Sequence, residues 1–229
     1  MTWQPTVAEI VAGYIAVLTD NCQPTDALFI HASPGDPKLD AKELSAAFAA
    51  YSISSDNIVL NGLTAKRCQK LNLAYCGYEK WRKLFIRRGI RQEAIVLLPP
   101  SKHTGEESAN LLLLARAKGW KSVTIMAYPY HLLRCFLQIV AAMEKLQIRL
   151  RVYARTFKLG GDDWQRQMTR IVMGGTNVLG NTTVNGSMID HIASELERVV
   201  KYAQEGGNFT RHATIPELFE YLAKRDKRL

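Results

Sequence analysis

Short apolar runs alternate with longer segments of helical periodicity along the first two thirds of the chain. The short runs are rich in β-branched residues and lie at Ala27–Ile30, Ile58–Leu60, Ile95–Leu98, Val123–Met126 and Ile148–Tyr153. The helical patterns cover about 7–19, 38–51, 64–89, 105–118 and 130–145. This alternation is typical of βαβ units, which build a parallel sheet with helices on its faces. We therefore predict an α/β fold, a Rossmann-like three-layer sandwich with a mainly parallel five-stranded sheet.

The alternation stops after Phe157, and the remaining sequence predicts a loop followed by helices. The loop is the glycine- and asparagine-rich segment Gly174–Asn181, and the stretch Ser187–Gln204 has strong helical periodicity. A second short helix is predicted at Pro216–Lys224, with Thr214 as its N-cap. The predicted organisation is a Rossmann-like α/β core over residues 1–157 and a C-terminal loop and helical extension over 158–229 that packs on this core.

Composition narrows the class of protein. The chain has 229 residues, 47% of them hydrophobic, and a formal net charge of +9. Its apolar stretches are far shorter than the roughly 20 residues that cross a bilayer, so no membrane span is expected. The four cysteines form no C-x-x-C pair, which favours reduced thiols and a cytoplasmic location. The positive charge can serve solubility, attract an anionic metabolite or hold a nucleic acid, and a solvated face is favoured over a nucleic-acid footprint.

Ligands of open parallel sheets bind outside the carboxyl ends of the strands, so the residues that follow each strand are the candidate site. The first strand is followed by Ser33 and Gly35, a hydroxyl and a flexible backbone position that suit an anion. The second is followed by Asn61 and Gly62, where Asn61 could orient a ligand amide or hydroxyl. Ordinary turns are the alternative interpretation at both places.

The segment after the third strand opens a helix and carries two carboxylates. Thr104 and Glu107 have the T-x-x-E spacing of a capping box, which predicts that each satisfies a backbone N–H group at the start of this helix. A carboxylate at this position could also bind a ligand hydroxyl or accept a proton, with Glu106 as the competing candidate.

The fourth strand is followed by Tyr128 and by a helix whose first turn carries His131 and Arg134. The spacing of three places the imidazole and the guanidinium on one face of that turn. Together they could hold a phosphate or carboxylate, with Arg134 as a bidentate donor. The alternatives are a structural salt bridge for Arg134 and a packed ring for His131.

Several common enzyme motifs are missing from the sequence. We find no G-x-x-x-x-G-K-[ST] loop, no G-x-G-x-x-G after the first strand and no G-x-S-x-G elbow. Their absence disfavours P-loop hydrolysis, dinucleotide-dependent hydride transfer and α/β-hydrolase catalysis, and no metal site is predicted.

The order of several motifs resembles the ElyC/SanA/YdcF family, whose function is largely undetermined. The motifs are Asn61-Gly62, Thr104 to Ala109 and Pro129 to Arg134, and the match covers about residues 25–145. The resemblance implies a Rossmann-like core and, from one branch of the family, S-adenosylmethionine as a candidate ligand. The chain departs from the family after the first strand, where Ala32 to Gly35 replaces a glycine-rich exit.

The leading hypothesis is an enzyme, or an enzyme-derived binding protein, for a small anionic or nucleotide-like metabolite. In it Arg134 holds the anion, His131 and Glu107 are the acid/base pair, and the segment 174–186 acts as a lid. A non-catalytic S-adenosylmethionine or nucleotide sensor is the second hypothesis. Nucleic-acid binding through the basic helix 80–91 is the third, and it is disfavoured because Trp81 and Phe85, four residues apart, are predicted to face the core.

Overall fold

A computed structural model describes residues 4–21, 23–31, 47–52, 55–71, 75–156, 171–176, 183–204 and 212–227. For 171–192 and 203–204 the description is limited to the backbone.

The centre of the fold is a five-stranded sheet in which all the pairs are parallel. The strands are β1 (Thr25–Ile30), β2 (Ser55–Leu60), β3 (Ile95–Leu97), β4 (Ser122–Ala127) and β5 (Arg151–Thr156). Their order across the sheet is β3-β2-β1-β4-β5. The predicted Rossmann-like fold is confirmed, and the order reverses between β1 and β4, where such sheets open a crevice for ligands.

Helices cover both faces of this sheet. They are α1 (Val7–Leu18), α2 (helical over 47–52), α3 (Ala65–Lys70), α4 (Tyr78–Arg87), α5 (Thr104–Lys118), α6 (Pro129–Leu146), α7 (Met188–Gln204) and α8 (Ile215–Asp226). Phe29 and Ile125 contribute to a buried cluster with α1, α5, α6, α7 and α8. Leu28 and Ile58 contribute to a second cluster with α2, α3 and α4. Because alternate strand residues point to opposite faces, two separate cores form, and the three-layer prediction holds.

Trp81 and Phe85 on the basic helix α4 belong to the second core, as predicted. Their exposed fractions are 3% and 0%. Because both rings are buried, neither is available to stack on nucleic-acid bases.

The helix predicted over 64–89 is two helices, α3 and α4. The break lies at Gly77, whose φ of +88° is rarely adopted by other residues. A Cβ atom at this position would lie 2.3 Å from the backbone nitrogen of Ala65. The amide of Tyr78 donates to the carbonyl of Leu63 at 3.0 Å, so the chain folds back closely on the start of α3.

Strand β5 begins three residues later than the predicted Ile148–Tyr153 run. Gln147 ends α6 in the left-handed conformation, with φ of 53°. The amide of Ile148 then donates to the carbonyl of Met143 at 3.0 Å, which closes the helix. Ile148 is buried where α6 ends, which explains why this position is apolar although it lies before the strand.

The C-terminal part contains a strand pair that the sequence did not indicate. β6 (Ile171–Thr176) and β7 (Thr183–Ser187) pair antiparallel. The prediction of a loop is therefore wrong for residues 174–176, which belong to β6. The rest of the loop, 177–181, lies outside the described residues, as does part of the hypothetical lid. The helices predicted at Ser187–Gln204 and Pro216–Lys224 are present as α7 and α8, and both contact α6.

The N-cap predicted for α8 is also present. The hydroxyl of Thr214 accepts a hydrogen bond from the amide of Glu217 at 3.3 Å, and the Glu217 carboxylate accepts one from the Thr214 amide at 2.6 Å. The two residues form a capping box, which fixes the start of the helix.

Candidate functional site

The candidate site lies at the carboxyl edge of the sheet, between β1 and β4. His31 directly follows β1, and its backbone amide donates to the carbonyl of Met126 in β4 at 2.9 Å. This bond places His31 at the point where the strand order reverses. Ser33 and Gly35, which were predicted to serve this part of the site, lie outside the described residues.

A buried carboxylate binds the imidazole of His31. Nδ1 of His31 lies 2.9 Å from Oε2 of Glu107, and the two side chains are 1% and 5% exposed. The other carboxylate oxygen of Glu107 accepts a hydrogen bond from Nδ2 of Asn61 at 2.8 Å. His31, Glu107 and Asn61 therefore form one hydrogen-bonded chain that joins the ends of β1 and β2 to the first turn of α5.

Asn61 is held in one orientation by the loop after β3. Its Nδ2 donates to the carbonyl of Ser101 at 2.7 Å, and its Oδ1 accepts from the amides of Ser101 and Leu63 at 3.2 and 3.0 Å. These bonds assign the oxygen and nitrogen of the amide group, so that the nitrogen faces Glu107. Asn61 thus positions Glu107, and its own amide has no capacity left for a ligand.

Gly62 has a structural role in the close approach of two loops. A Cβ atom on Gly62 would lie 2.1 Å from the carbonyl oxygen of Leu98. Gly62, a candidate site residue in the sequence, accommodates the chain's own backbone, so the turn interpretation fits better.

The capping box predicted for Thr104 and Glu107 is wrong by one residue. The N-cap of α5 is His103, whose Nδ1 accepts a hydrogen bond from the amide of Glu106 at 3.3 Å. The carboxylate of Glu106 accepts one from the amide of Lys102 at 2.6 Å. Glu106 is therefore occupied at the helix end, while Glu107 points into the interior of the protein and is available to His31.

The environment of Glu107 favours its charged form. Burial alone would raise the pKa of Glu107, but the hydrogen bond and charge of His31 and the hydrogen bond of Asn61 act the other way, and the net effect lowers it. With Glu107 ionised, Nδ1 of His31 must carry a proton to donate to it. In the neutral form of the ring, the carboxylate therefore places the single proton on Nδ1.

The remaining nitrogen of His31, Nε2, faces away from Glu107. Nε2 is buried, and within the part of the chain that the structure describes it has no hydrogen-bond partner. The ring packs edge-on against the ring of Phe29, with the two ring centroids 4.6 Å apart. The centroid of the His131 ring lies 6.1 Å away. Buried polar atoms are normally hydrogen-bonded, so an unpaired one at a ligand-binding edge calls for a functional explanation.

Arg134 belongs to a buried ion pair with Glu195 of α7. Nε of Arg134 donates to Oε2 of Glu195 at 2.5 Å, and Nη2 donates to Oε1 at 3.0 Å. A third bond joins Nη1 to the hydroxyl of Thr104 at 3.2 Å, and Arg198 also donates to Glu195, at 2.8 Å. The fork that was predicted to hold an anionic ligand is occupied by the protein's own carboxylate, so the structural alternative describes Arg134 correctly.

Charge complementarity sets the ionisation of this pair. Burial opposes the charged form of Glu195, but the charge of Arg134 outweighs it and holds the pKa of Glu195 well below its usual range. The pKa of Arg134 is raised, since Glu195 outweighs burial there too. Both groups are therefore charged at neutral pH.

His131 is neutral and bound to the same ion pair. Its Nδ1 lies 2.8 Å from Nη2 of Arg134 and 3.3 Å from Glu195, and its Nε2 lies 3.5 Å from the hydroxyl of Thr104. Burial, and then the charge of Arg134, lower the pKa of His131 to about 4. His131 and Glu107 lie on the same edge, but the histidine that contacts Glu107 is His31, and the role of His131 and Glu107 as an acid/base pair stays a prediction.

Tyr128 is a packing residue at the start of α6. Its ring is 5% exposed and stacks on Tyr130 with the ring centroids 5.3 Å apart. The ring belongs to the second core, so its side chain contributes packing to the rim.

A third buried histidine lies beside the ion pair. His212 is fully buried against Tyr202, and neither ring nitrogen has a hydrogen-bond partner among the described residues. Burial, and then the charge of Arg134, lower the pKa of His212 to about 3. The folded protein therefore keeps this ring neutral in acid that protonates it in the unfolded chain.

Replacing His212 with phenylalanine should make the protein more resistant to acid. An unfolded histidine takes up a proton below about pH 6.5, whereas His212 in the fold does not, so this site lowers the free energy of unfolding as the pH falls. At pH 5 the cost is on the order of 2 kcal/mol, and His212→Phe removes it while keeping an aromatic ring against Tyr202. Urea unfolding at pH 7 and pH 5 measures the change, and equal pH dependence in both proteins would disprove it.

Two kinds of feature are absent from the described residues. They include no helix long and apolar enough to cross a membrane. They also include no group of three histidine, cysteine, aspartate or glutamate side chains that could hold a metal ion.

Comparison with known proteins gives no match from which a function could be inferred, so the functional conclusion rests on the geometry of the site. The resemblance to the ElyC/SanA/YdcF family stays a prediction. No protein-family model matches the chain, and no curated protein does.

Proposed function

We propose that this protein is an enzyme that acts on a small anionic or nucleotide-like metabolite at the carboxyl edge of its sheet. His31 transfers the proton, and Glu107 orients the ring and balances its charge. The observation that carries the proposal is the buried Nε2 of His31, which has no hydrogen-bond partner among the described residues, with Nδ1 bound to Glu107. A buried carboxylate that holds the far side of an imidazole is a recurrent arrangement in general acid–base catalysis.

The proposed step is a proton transfer at one atom. Nε2 of His31 takes a proton from a substrate hydroxyl or from a water molecule, and the ring becomes an imidazolium ion. Glu107, 2.9 Å from Nδ1, stabilises that charge, and Asn61 keeps the carboxylate in place. The deprotonated oxygen attacks an electrophilic centre of the substrate and forms a bond to it, while the bond from that centre to the leaving group breaks. The proton on Nε2 then passes to the departing group, so His31 returns to its neutral form.

The class of substrate follows from the charges around this edge. Both α5 and α6 begin here, and the positive ends of their dipoles favour a negatively charged group. The net charge of +9 raises the local concentration of anions around the protein. Arg134 acts indirectly in this proposal, since its ion pair with Glu195 fixes α7 against the rim.

A metabolite extract provides a test in which the substrate need not be identified beforehand. The wild-type protein and the variant His31→Asn are incubated with the extract, and mass spectrometry follows which compounds are consumed or formed. The proposal predicts at least one conversion that requires His31. Identical metabolite profiles for the wild type, the variant and a sample without protein would contradict it.

Ligand binding separates an enzyme from a sensor. S-adenosylmethionine and adenosine monophosphate are added in thermal-shift measurements on both proteins, because a ligand of the native state raises its melting temperature. An enzyme of the proposed kind retains binding in His31→Asn and loses turnover. Binding without turnover in the wild type would support the sensor instead.

A further inference from the structure

An open groove of about 820 Å³ lies at the opposite, amino end of the sheet. It is bounded by the last turns of α6, by the segment that leads into β5 and by α8. Its volume falls in the range of pockets that hold small molecules. The groove shares no lining residue with the His31 site, which lies at the other end of the strands.

Apolar and aromatic side chains form part of the groove lining. Val140 and Met143 of α6, Ile148 and Leu150 before β5, and Tyr221 of α8 contribute to it. The hydroxyl of Tyr221 is fully used, because it donates to the carbonyl of Leu150 at 3.0 Å and accepts from the amide of Val152 at 2.6 Å. This surface therefore suits the apolar body of a ligand.

Positive charge surrounds this apolar surface. Lys121, Arg149 and Arg151 line the groove, and within the described part of the chain none of the three has a carboxylate partner. One acidic lining residue, Glu144, likewise has no ion-pair partner among the described residues.

The other charged residues of the groove have partners of their own. The carboxylate of Glu217 caps α8, and that of Glu220 binds Lys224. Arg225 is bound to Asp20 at 2.7 Å. The capping bond of Glu217 does not cancel its charge, so Lys121, Arg149 and Arg151 stand against the carboxylates of Glu144 and Glu217, and the balance is positive.

We propose that this groove is a second binding site, for an amphipathic organic anion. The apolar part of the ligand contacts the floor formed by Met143, Ile148 and Tyr221, and its carboxylate, sulfonate or phosphate group binds Arg149 and Arg151. Guanidinium groups bind such oxyanions through paired hydrogen bonds. The site is independent of the proposed enzymatic activity, and its test involves neither His31 nor Glu107.

The probe for this site is 8-anilino-1-naphthalenesulfonate, which joins apolar rings to one sulfonate. Fluorescence titration at low salt should show saturable binding to the wild-type protein. The double variant Arg149→Gln, Arg151→Gln should bind the probe roughly tenfold more weakly or worse, a change of about 1.4 kcal/mol. Its matched control is Lys83→Gln, Arg87→Gln, which removes the same charge from exposed positions on α4 and should keep the wild-type affinity.

A second probe tests the apolar contact separately from the contact with the anionic group. N-phenyl-1-naphthylamine has the same rings without the sulfonate, and it should bind the wild type more weakly than the sulfonate does. Equal affinities of the sulfonate for the wild type and both double variants would overturn the proposal. An equal loss in the control variant would overturn it too, because only the total charge would then matter. Thermal unfolding of each variant verifies that the fold is intact.

Discussion

Replacing Glu195 with alanine should lower the free energy of unfolding by about 3–5 kcal/mol. The reason is the charge that the change leaves behind. Arg134 is 11% exposed at its side chain, and it would lose a carboxylate that accepts two of its hydrogen bonds. A cation buried without its partner is far more costly than a solvated one. Folded proteins have only about 5–15 kcal/mol of stability in total, so the variant should be severely weakened.

Two further variants separate this cause from a general effect on α7. Glu197→Ala removes an exposed carboxylate from the same helix and should change the stability by less than about 1 kcal/mol. The double variant Arg134→Met, Glu195→Leu removes both charges and should regain most of the stability that Glu195→Ala loses. Urea unfolding midpoints measure all three. A loss in Glu195→Ala no larger than that in Glu197→Ala would show that the ion pair does not hold α7 in place.

Changing Glu107 to glutamine should reduce turnover by a factor on the order of 10³–10⁴ while the fold persists. Glutamine keeps an oxygen that accepts from Asn61, but its amide nitrogen would face Nδ1 of His31. That nitrogen can only donate, so Nδ1 must become the acceptor and the ring proton moves to Nε2. A protonated Nε2 on a neutral ring cannot accept a proton from the substrate.

The adjacent carboxylate provides the control for this effect. Glu106→Gln alters the residue before Glu107 at the end of α5, where the side chain accepts from the amide of Lys102, and it should keep wild-type turnover. The rates are measured on the substrate that the metabolite extract identifies. Wild-type turnover in Glu107→Gln would mean that the carboxylate does not control the tautomer, and the proposed role of His31 would fail.

The layout of the sheet could be predicted because its strands are buried on both faces. Such strands appear in the sequence as short continuous apolar runs, and Leu28, Phe29 and Ile30 are an example. The start of β5 could not be predicted, because Ile148 and Leu150 are apolar for a different reason, the closing of α6 and the packing next to it. The break between α3 and α4 could not be predicted either, because a single glycine at position 77 carries the signal.

The position of the site could be predicted, but its pairings could not. Parallel topology alone brings Asn61, Glu107 and His131 to the same edge. Which carboxylate binds which cation depends on contacts between distant parts of the chain, such as Arg134 and Glu195, which are 61 residues apart. One clue was present in the sequence, since Glu195 lies on the same helical face as Val199 and Tyr202, both of them buried.

His31 was not predicted as a site residue, because the turn signals after β1 mark Ser33 and Gly35 instead. A polar residue that directly follows a buried central strand is itself a sign of the site, since the strand aims it at the crevice.

The central claim, that Glu107 fixes His31 as a proton acceptor, is tested most directly by the protonation state of its ring nitrogens. Long-range ¹H–¹⁵N correlation spectra of protein labelled at histidine distinguish a protonated ring nitrogen from a bare one. At a pH where the ring is neutral, the proton should lie on Nδ1 and Nε2 should be bare, with the reverse in Glu107→Gln. A neutral His31 protonated at Nε2 in the wild type would contradict the account.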